Sequence, residues 1–320
     1  MIKIVDFNKS HIAEARQIIY AGYNEAKGNI KSLPQIDMFP DFSEELEDLA
    51  NNVGVVMLDD AGKMMGFLCY DKPWDDAFGS SVKGTFAPIH AHGAIPENRE
   101  MVYKRLYQAT AEKWVANGVA YHAISFYAHD KQLADTFFSL GFGLRCIDAV
   151  RPIANFDYVG SEGISYAEIP KFDEVKIRAM RKSLSTHLAE SPFFYRSSDE
   201  DARQWLNRAE TRDSRVFIAS FDAKPVAFIE AMDDGENFIS DGVNGMQNIC
   251  GAFCLIEHRG KGVMQGLLNY VITSLKANGY TALGVDFESI NLSASNFWLK
   301  YFEPYAYSVV RRIDECAFVK

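Results

Sequence analysis

The sequence predicts an α/β protein made of two tandem domains, each a mixed central sheet flanked by helices. Two observations carry this prediction: strand-like and helix-like segments alternate along the chain, and the order of segments in the first half returns in the second. The length of 320 residues also suits two compact units of about 150 residues better than one.

Four stretches of the first half have counterparts, in the same order, in the second half. The pairs are 53–68 with 214–229, GTFAPI at 84–89 with GAFCLI at 251–256, ANG at 116–118 with 277–279, and FFSLGF at 137–142 with FWLKYF at 297–302. Four matches in order predict an internal duplication. We therefore expect domains over 1–154 and 164–320, joined by a polar, glycine-containing linker over 155–163.

The pattern of each half predicts a strand, two helices and a two-stranded hairpin. These are followed by a strand, a helix, a second strand, a second helix and the closing strands. In the second half, the pattern of 197–209 predicts a helix capped by Ser197, with Glu200 three residues on. Residues 247–256 have the composition of a buried strand. Residues 262–279 place apolar side chains on one helical face, 280–290 predict the next strand, and 293–303 predict the last helix.

The composition of the chain limits the classes of function that we expect. The chain is 48% hydrophobic and 24% charged, as in ordinary globular proteins. A net charge of −10 without a basic stripe argues against nucleic acid as a partner. No apolar run is long enough to span a membrane, and the charged start does not resemble a signal peptide. We expect a cytoplasmic protein, monomeric or homodimeric.

The five cysteines predict free thiols rather than disulfides, because their number is odd and their spacing forms no framework. Cys250 and Cys254 would lie about 13 Å apart on one face of a strand, which is too far for a bridge. His90 and His92 alternate on a strand but lack a third ligand. We expect no metal site.

A glycine turn separates the strand ending near Ile256 from the helix beginning near Gly262. The first amides of a helix lack internal partners and attract anions, and glycines let the backbone close around phosphate oxygens. Arg259 and Lys261 add positive charge. The turn matches neither a Walker loop nor a dinucleotide fingerprint. By itself, such a turn is also typical of a plain connection.

This region resembles the GNAT superfamily of N-acetyltransferases. Its acyl-CoA signature, R-x-x-G-x-G/A, is met by Arg259, Gly260, Lys261, Gly262, Val263 and Met264. The upstream pattern V-x-P-E-Y-R corresponds to Cys254, Leu255, Ile256, Glu257, His258 and Arg259. The downstream pattern L-E-V-x-x-x-N-x-x-A-x-x-x-Y corresponds to Val285, Asp286, Phe287, Asn291, Ala294 and Trp298. The close resemblance covers about 60 residues, and a looser one covers the chain as tandem GNAT-like domains.

The resemblance implies acetyl-CoA as cosubstrate, bound by the second domain. Backbone groups near Cys254 and Ile256 would pair with the pantetheine arm like an added strand. The amides of 259–264 would hold the pyrophosphate, and Asn291 would lie near the thioester, unless it only forms a turn. Met264 departs from the family's small residue at this position.

The catalytic groups are less well defined by the resemblance. Trp298 replaces the tyrosine that protonates the departing thiolate, and an indole N–H cannot give up its proton near neutral pH. Tyr301 is the candidate acid, although it could equally be a core aromatic. Glu230 is the candidate base and Asp286 an alternative, although either could be an ordinary surface carboxylate. Asn248 stands where histone-type relatives carry a glutamate.

The first half departs from the signature. Its arginine and glycine spacing is absent, Pro96 and Glu97 stand near the expected turn, and Phe138 occupies the tyrosine position. A carboxylate beside a polyphosphate is unfavourable. We expect this domain to be non-catalytic.

The resulting prediction is direct acyl transfer from acetyl-CoA to a primary amine of a small molecule or peptide. The alternatives are a non-catalytic acyl-CoA-binding or ligand-binding protein on the same scaffold, and peptidyl or aminoacyl transfer, which the acidic composition disfavours. The consecutive Phe193, Phe194 and Tyr195, beside Arg196, predict either an aromatic wall for the acceptor or a domain interface.

Overall fold

The computed structural model describes residues 2–50, 54–169, 174–195, 198–212, 214–233 and 237–318. The chain divides into two compact units: Met1–Leu33, Met38–Asp148 and Pro304–Lys320 form the first, and Pro34–Asp37 and Ala149–Glu303 form the second. In each unit, sheets are flanked by helices, so the predicted fold class is confirmed. The domain limits 1–154 and 164–320 stay predictions.

The first unit follows the predicted order of elements. These are β1 (Lys3–Asp6), α1 (Ile12–Asn29), α2 (Ser43–Ala50), β2 (Val55–Leu58), β3 (Met64–Leu68), β4 (Gly84–Ala87), β5 (His92–Ala94), α3 (Arg99–Ala116), β6 (Tyr121–Tyr127), α4 (Lys131–Ser139) and most of β7 (Gly143–Pro152). Strands β1, β2, β3 and β5 form one sheet in that order. Strand β4 runs parallel to β6.

The first unit also contains the last strand of the chain, β13 (Glu303–Arg312). β13 pairs antiparallel with β6, from Ala306 opposite Tyr127 to Arg312 opposite Tyr121. The following Ile313 amide donates to the Ala120 carbonyl at 2.8 Å. This unit is therefore completed by residues from the far end of the chain.

The elements of the second unit are β8 (Ile164–Ile169), α5 (Glu174–Ala189), α6 (Asp199–Thr211), β9 (Arg215–Phe221), β10 (Lys224–Met232), α7 (Phe238–Gly242), β11 (Met246–Cys254), α8 (Val263–Ala277), β12 (Ala282–Glu288) and α9 (Leu292–Trp298). The second unit has the same order as the first except that a short helix, α7, precedes β11 and that no described strand corresponds to β5. The strand order is β12-β11-β10-β9-β8. Only the β11–β12 pair is parallel among these neighbours.

Helix α8 forms as its pattern predicts. Its apolar stripe is buried, namely Val263, Leu267, Leu268, Val271, Ile272 and Leu275. Gly262 is the N-cap and Gly279 lies just beyond the C-terminus, both with the positive φ that glycine adopts without strain. The helix packs on β9 and β10 and thereby fixes the position of the glycine turn.

Two details of the second unit correct the sequence predictions. Helix α6 is capped by Ser198, with Asp201 completing the capping box, and not by the pair Ser197 and Glu200. The predicted helix over 293–303 is shorter, because α9 ends at Trp298. Hydrogen bonds from the amides of Tyr301 and Phe302 to the Trp298 carbonyl turn the chain towards β13. Tyr301 is therefore not on the α9 face of Trp298.

Candidate functional site

Strands β11 and β12 separate at the centre of the second unit. Their parallel pairing runs from Met246 opposite Ala282 to Ile249 opposite Val285. Beyond that point β11 continues to Cys254 and β12 to Glu288. The end of β11 therefore has one edge that β12 does not cover, and such an edge can accept an extended ligand as an added strand.

A cavity of about 300 Å³ opens at this separation. Its walls come from α5, the end of β11, the glycine turn with the start of α8, and the β12–α9 region, and most of its lining is apolar. The lining residues are Leu184, His187, Ala252, Phe253, Cys254, His258, Arg259, Gly260, Val263, Met264, Gln265, Asn291, Ser293, Ala294, Asn296, Phe297, Trp298 and Lys300. This volume suits part of a flexible small molecule.

The glycine turn leaves a run of backbone donors free. Gly260 and Gly262 adopt φ of 73° and 81°. Among the described residues, no acceptor meets the amides of 260–265, whereas the Gly266 amide already donates to the Gly262 carbonyl at 3.0 Å. Gly260 borders open space on its Cβ side. Unpaired amides at the positive end of a helix dipole can bind an anion.

The predicted linker lies against this turn. A Cβ on Gly262 would stand 2.4 Å from the Val159 carbonyl oxygen, so no larger residue fits without movement. The Ser161 hydroxyl donates to the Lys261 carbonyl. Further along α8, the Asn155 amide donates to Asn269 and Thr273. The segment 155–163 thus supports the outer side of the turn and the helix.

The structure places most signature residues at the cavity. Cys254, Arg259, Gly260, Val263 and Met264 line it. Arg259 Nε donates to the Cys254 carbonyl at 2.9 Å, which ties the turn to the strand end. Three predicted contacts stand outside the lining, namely Ile256, Lys261 and Gly262. Ile256 is 73% exposed after the strand has ended, and Lys261 is exposed.

Asn291 and Trp298 both line the cavity from α9. Asn291 is the N-cap of α9, where its Oδ1 accepts from the Ala294 amide at 3.0 Å. Trp298 is 5% exposed and packs edge-on against Phe302. The turn-forming role considered for Asn291 is therefore present together with its position at the cavity.

Tyr301 lies outside the cavity lining. Its ring packs against the rings of Phe156 and Phe297, with centroid distances of 4.5 and 5.1 Å. These contacts match the core-aromatic alternative, and the position does not favour Tyr301 as the acid.

Glu230 also lies outside the lining and is fully buried. Its carboxylate accepts from Ser214 Oγ at 2.6 Å and Trp205 Nε1 at 2.9 Å, and Arg181 lies 3.5 Å away. Desolvation lowers the pKa of Arg181 to about 10, although Glu230 acts in the opposite direction. Glu230 connects α5 and α6 to β10, which is a positioning role.

The other polar candidates differ in exposure. Asp286 is exposed on β12. Asn248 is buried and its Oδ1 occupies the space beside Gly284, where a Cβ would stand only 1.9 Å from it. Neither residue lines the cavity.

The three consecutive aromatics have three separate environments. Phe193 is buried with its ring 5.2 Å from that of His187, Phe194 is 69% exposed, and the Tyr195 hydroxyl donates to Glu288 at 3.3 Å. Arg196 lies outside the described residues. Phe193 therefore backs a cavity-lining side chain, but it does not itself line the cavity.

His187 and Leu184 are lining residues that the sequence reasoning missed. Neither belongs to a motif, and only the packing of α5 over β10 and β11 brings them to the cavity. The available signal was a histidine six residues before a run of three aromatic residues.

The corresponding part of the first unit is occupied by an ion-pair cluster. Arg99, at the start of α3, contacts Glu25 with both terminal nitrogens at 3.0 and 2.6 Å, and Asp130 at 2.6 Å. Burial by itself would lower the pKa of Arg99, but the hydrogen bonds to Glu25 and Asp130 raise it overall. The hydrogen bonds from Arg99 in turn lower the pKa of Glu25. Pro96 and Glu97 precede it, and Phe138 is 43% exposed on α4.

The predicted pair His90 and His92 contacts groups other than a metal site. His92 is buried and its ring nitrogens lie 2.8 Å from Tyr103 Oη and 2.7 Å from the Ser125 carbonyl. His90 stacks on Phe42 at 4.9 Å. Over the described ranges, no group of three His, Cys, Asp or Glu side chains could hold a metal ion. Within the same ranges, no helix is long and apolar enough to cross a membrane.

Comparison with known proteins agrees with this geometry. Residues 183–302 match the acetyltransferase (GNAT) family. The chain superposes on a GCN5-related N-acetyltransferase from Sphaerobacter thermophilus with a TM-score of 0.58 at 14% identity, covering 97% of this chain and 95% of that one. No curated protein sequence matches the chain.

A second solved structure is the glucosamine N-acetyltransferase region of a fungal multi-domain GH3 β-N-acetylglucosaminidase. It superposes with a TM-score of 0.55 at 14% identity, covering 97% of this chain and 38% of that one. At such low identity both likenesses establish the fold. The chain therefore has a GNAT fold over nearly its whole length, and residues 183–302 are similar to the acetyltransferase (GNAT) family.

Proposed function

We propose that the protein is an acyl-CoA-dependent N-acyltransferase that uses acetyl-CoA and acts through its second unit. The acceptor is a primary amine of a small molecule or peptide. The observation that carries the proposal is the run of unpaired amides at 260–265, which borders a cavity at the separation of β11 and β12.

Each part of the cosubstrate has a matching part of the site. The amides of 260–265 and the charge of Arg259 suit the pyrophosphate. The uncovered edge of β11 towards Cys254 suits the pantetheine amides. The apolar cavity with Asn291 and Trp298 suits the thioester end. The segment 95–98 before α3 lacks the glycine spacing of 260–262, and Arg99 after it is bound to Glu25 and Asp130, so we assign the reaction to the second unit alone.

Direct transfer fits the side chains better than a covalent enzyme intermediate. The nucleophile candidate in the lining is Cys254, and burial raises the pKa of its thiol to about 11. A thiol with that pKa stays protonated at neutral pH and is a poor nucleophile. The acceptor amine therefore attacks the thioester itself.

The alternative is a protein that binds acyl-CoA without turnover. It is supported by the indole at Trp298, which cannot donate its proton, and by the positions of Tyr301 and Glu230 outside the cavity lining.

Release of CoA thiol separates the two functions. The protein is incubated with acetyl-CoA and a panel of primary amines, namely amino sugars, polyamines, amino acids and peptides with a free N-terminus. We expect amine-dependent thiol release with at least one class. Binding of CoA in calorimetry without thiol release for any amine would support the binding protein, and absence of CoA binding would exclude both.

A further inference from the structure

The buried ring nitrogen Nε2 of His187 has no hydrogen-bond partner in the described part of the chain. His187 lies near the end of α5 and lines the cavity. Its Nε2 is inaccessible to solvent and meets no polar atom among the described residues. A buried polar atom without a partner destabilises a fold by about 1–3 kcal/mol and calls for an explanation.

The imidazole is nevertheless held in position. Its ring packs against Phe193 at 5.2 Å, with an interplanar angle of 63°, and lies 6.2 Å from the ring of Phe253 on β11. It is thus fixed by apolar contacts, with no polar group of the described chain to satisfy Nε2.

Helix α5 is anchored to the sheet two turns earlier. Arg181 lies 3.5 Å from the buried Glu230, and its guanidinium stacks on Trp205 at 3.7 Å. Leu184 and His187 follow at three-residue intervals and reach the cavity. The Glu230 cluster therefore sets where His187 stands.

The other titratable groups of the lining are less suited to move a proton. Arg259 is bound to the Cys254 carbonyl, and a guanidinium does not deprotonate in proteins. Lys300 follows α9 and is exposed, and an ammonium group donates hydrogen bonds but has no lone pair to accept a proton. The Cys254 thiol has a raised pKa. His258 is half-buried, and its ring lies 5.7 Å from Phe221, at the end of β9.

We propose that His187 is the catalytic base of the acyl transfer and carries the proton from the acceptor amine to the departing thiolate. This inference rests on the proposed function and deepens it. It also supplies the proton that neither Trp298 nor Tyr301 is placed to give.

The step balances with His187 alone. The amine lone pair forms a C–N bond with the thioester carbonyl carbon, and the C–S bond breaks with its electrons on sulfur. The proton lost by nitrogen goes to the His187 imidazole and from there to sulfur, so that amine and acetyl-CoA give amide and free thiol. The imidazole ends neutral, ready for the next turnover.

The surroundings keep the imidazole neutral at the start. Desolvation lowers the pKa of His187, Arg259 from the glycine turn lowers it further, and Glu190 after α5 opposes them. A neutral ring accepts a proton, so activity depends on His187 above its pKa and falls as pH drops through it.

The test compares His187→Gln with His11→Gln, a matched histidine change in the first unit, outside the cavity lining. With acetyl-CoA and the best amine of the panel, we expect kcat to fall at least 100-fold in H187Q and less than threefold in H11Q. The affinity for CoA, measured by calorimetry, should change less than threefold in both. The acid limb of kcat against pH should disappear in H187Q only, and millimolar imidazole should restore part of the activity of His187→Ala.

A kcat within threefold of the wild type in H187Q, with the acid limb intact, would overturn the role of His187 and leave the proposed function standing. Absence of turnover in the wild type overturns both. If H187Q does not fold, NMR titration of the wild type decides. The His187 ring should titrate below about 6.5 and its signals should shift on adding acetyl-CoA; a ring that does neither refutes the inference.

Discussion

The turn before α8 and the segment before α3 occupy the same place in the element order of their units, but they differ in what their backbone and side chains offer. Before α8, two glycines at positive φ leave the amides of 260–265 without partners. Before α3, Asn98 has a φ of 56°, and Arg99 then binds Glu25 and Asp130.

The difference shows how a duplicated scaffold keeps its fold while changing its chemistry. An open anion site leaves backbone donors unpaired and requires glycine. The ion-pair cluster satisfies its own charges, with side-chain exposures of 14% for Arg99 and 10% for Asp130. Such a cluster contributes to packing but offers little to a polyphosphate. This contrast supports our proposal that the second unit binds the cosubstrate.

The largest expected effect concerns acid stability of the first unit. Burial lowers the pKa of both His92 and His122 to about 4. A folded pKa below the unfolded one means that stability is present above pH 6.5 and is lost as pH falls towards 4. Each imidazole contributes up to roughly 3 kcal/mol.

Denaturant unfolding followed between pH 7 and pH 4 measures this loss. The His122→Gln variant, which can keep a hydrogen bond to Tyr107, should lose less stability than the wild type over the same pH range. A parallel pH dependence in the two proteins would show that His122 is not a source of the acid sensitivity.

The next largest effect is the loss of stability expected when the Arg99 ion-pair cluster is broken. Arg99→Ala leaves Asp130 and Glu25 without their cation, and we expect about 3 kcal/mol of destabilisation. Arg203→Ala is the control, because its ion pair with Glu200 is exposed and should be worth less than about 1 kcal/mol. Affinity for CoA should be unchanged in both. A loss of CoA binding in R99A would contradict the division of roles between the units.

The third effect is the loss of CoA affinity expected when a side chain blocks the proposed anion site. Gly260→Val places a side chain in open space beside the free amides, and we expect CoA affinity to fall at least tenfold, or about 1.4 kcal/mol. Gly279→Val is matched to it, with a φ of 83° and open space at the opposite end of α8. Calorimetry should show unchanged affinity in the control. Equal affinities in the two variants would place the pyrophosphate elsewhere.

The smallest effect concerns Tyr301. Because its ring packs on Phe156 and Phe297 outside the cavity lining, Tyr301→Phe should change turnover less than about twofold. A drop of two orders of magnitude with intact CoA affinity would restore Tyr301 as the acid and displace His187 from the second half of the proton transfer.

The order of elements and the position of the glycine turn could be predicted because they depend on local patterns. The stripe of α8 and the glycines at its two ends are readable from a single sequence. The ends of the helices were predicted less accurately. Helix α6 is capped by Ser198, one residue after the predicted cap, and α9 ends at Trp298, whose carbonyl accepts hydrogen bonds from the amides of the following turn.

The candidate catalytic side chains could not be located from local sequence patterns. Glu230 looked like a free carboxylate because its partners Arg181, Trp205 and Ser214 come from three other segments. His187 carries no motif, and its place depends on the packing of α5. The Arg99 cluster joins residues that are far apart in sequence, so no spacing rule could reveal it.

The pairing of β13 with β6 also constrains the order in which the protein is made. Strand β6 leaves the ribosome long before residues 303–312, yet they are the antiparallel neighbour on one of its edges. The nascent first unit must therefore wait, with that edge unpaired, while the whole second unit is synthesised. An unpaired edge invites association with other chains. Biosynthesis thus exposes the first unit to aggregation for longer than the second unit, to which we assign CoA binding.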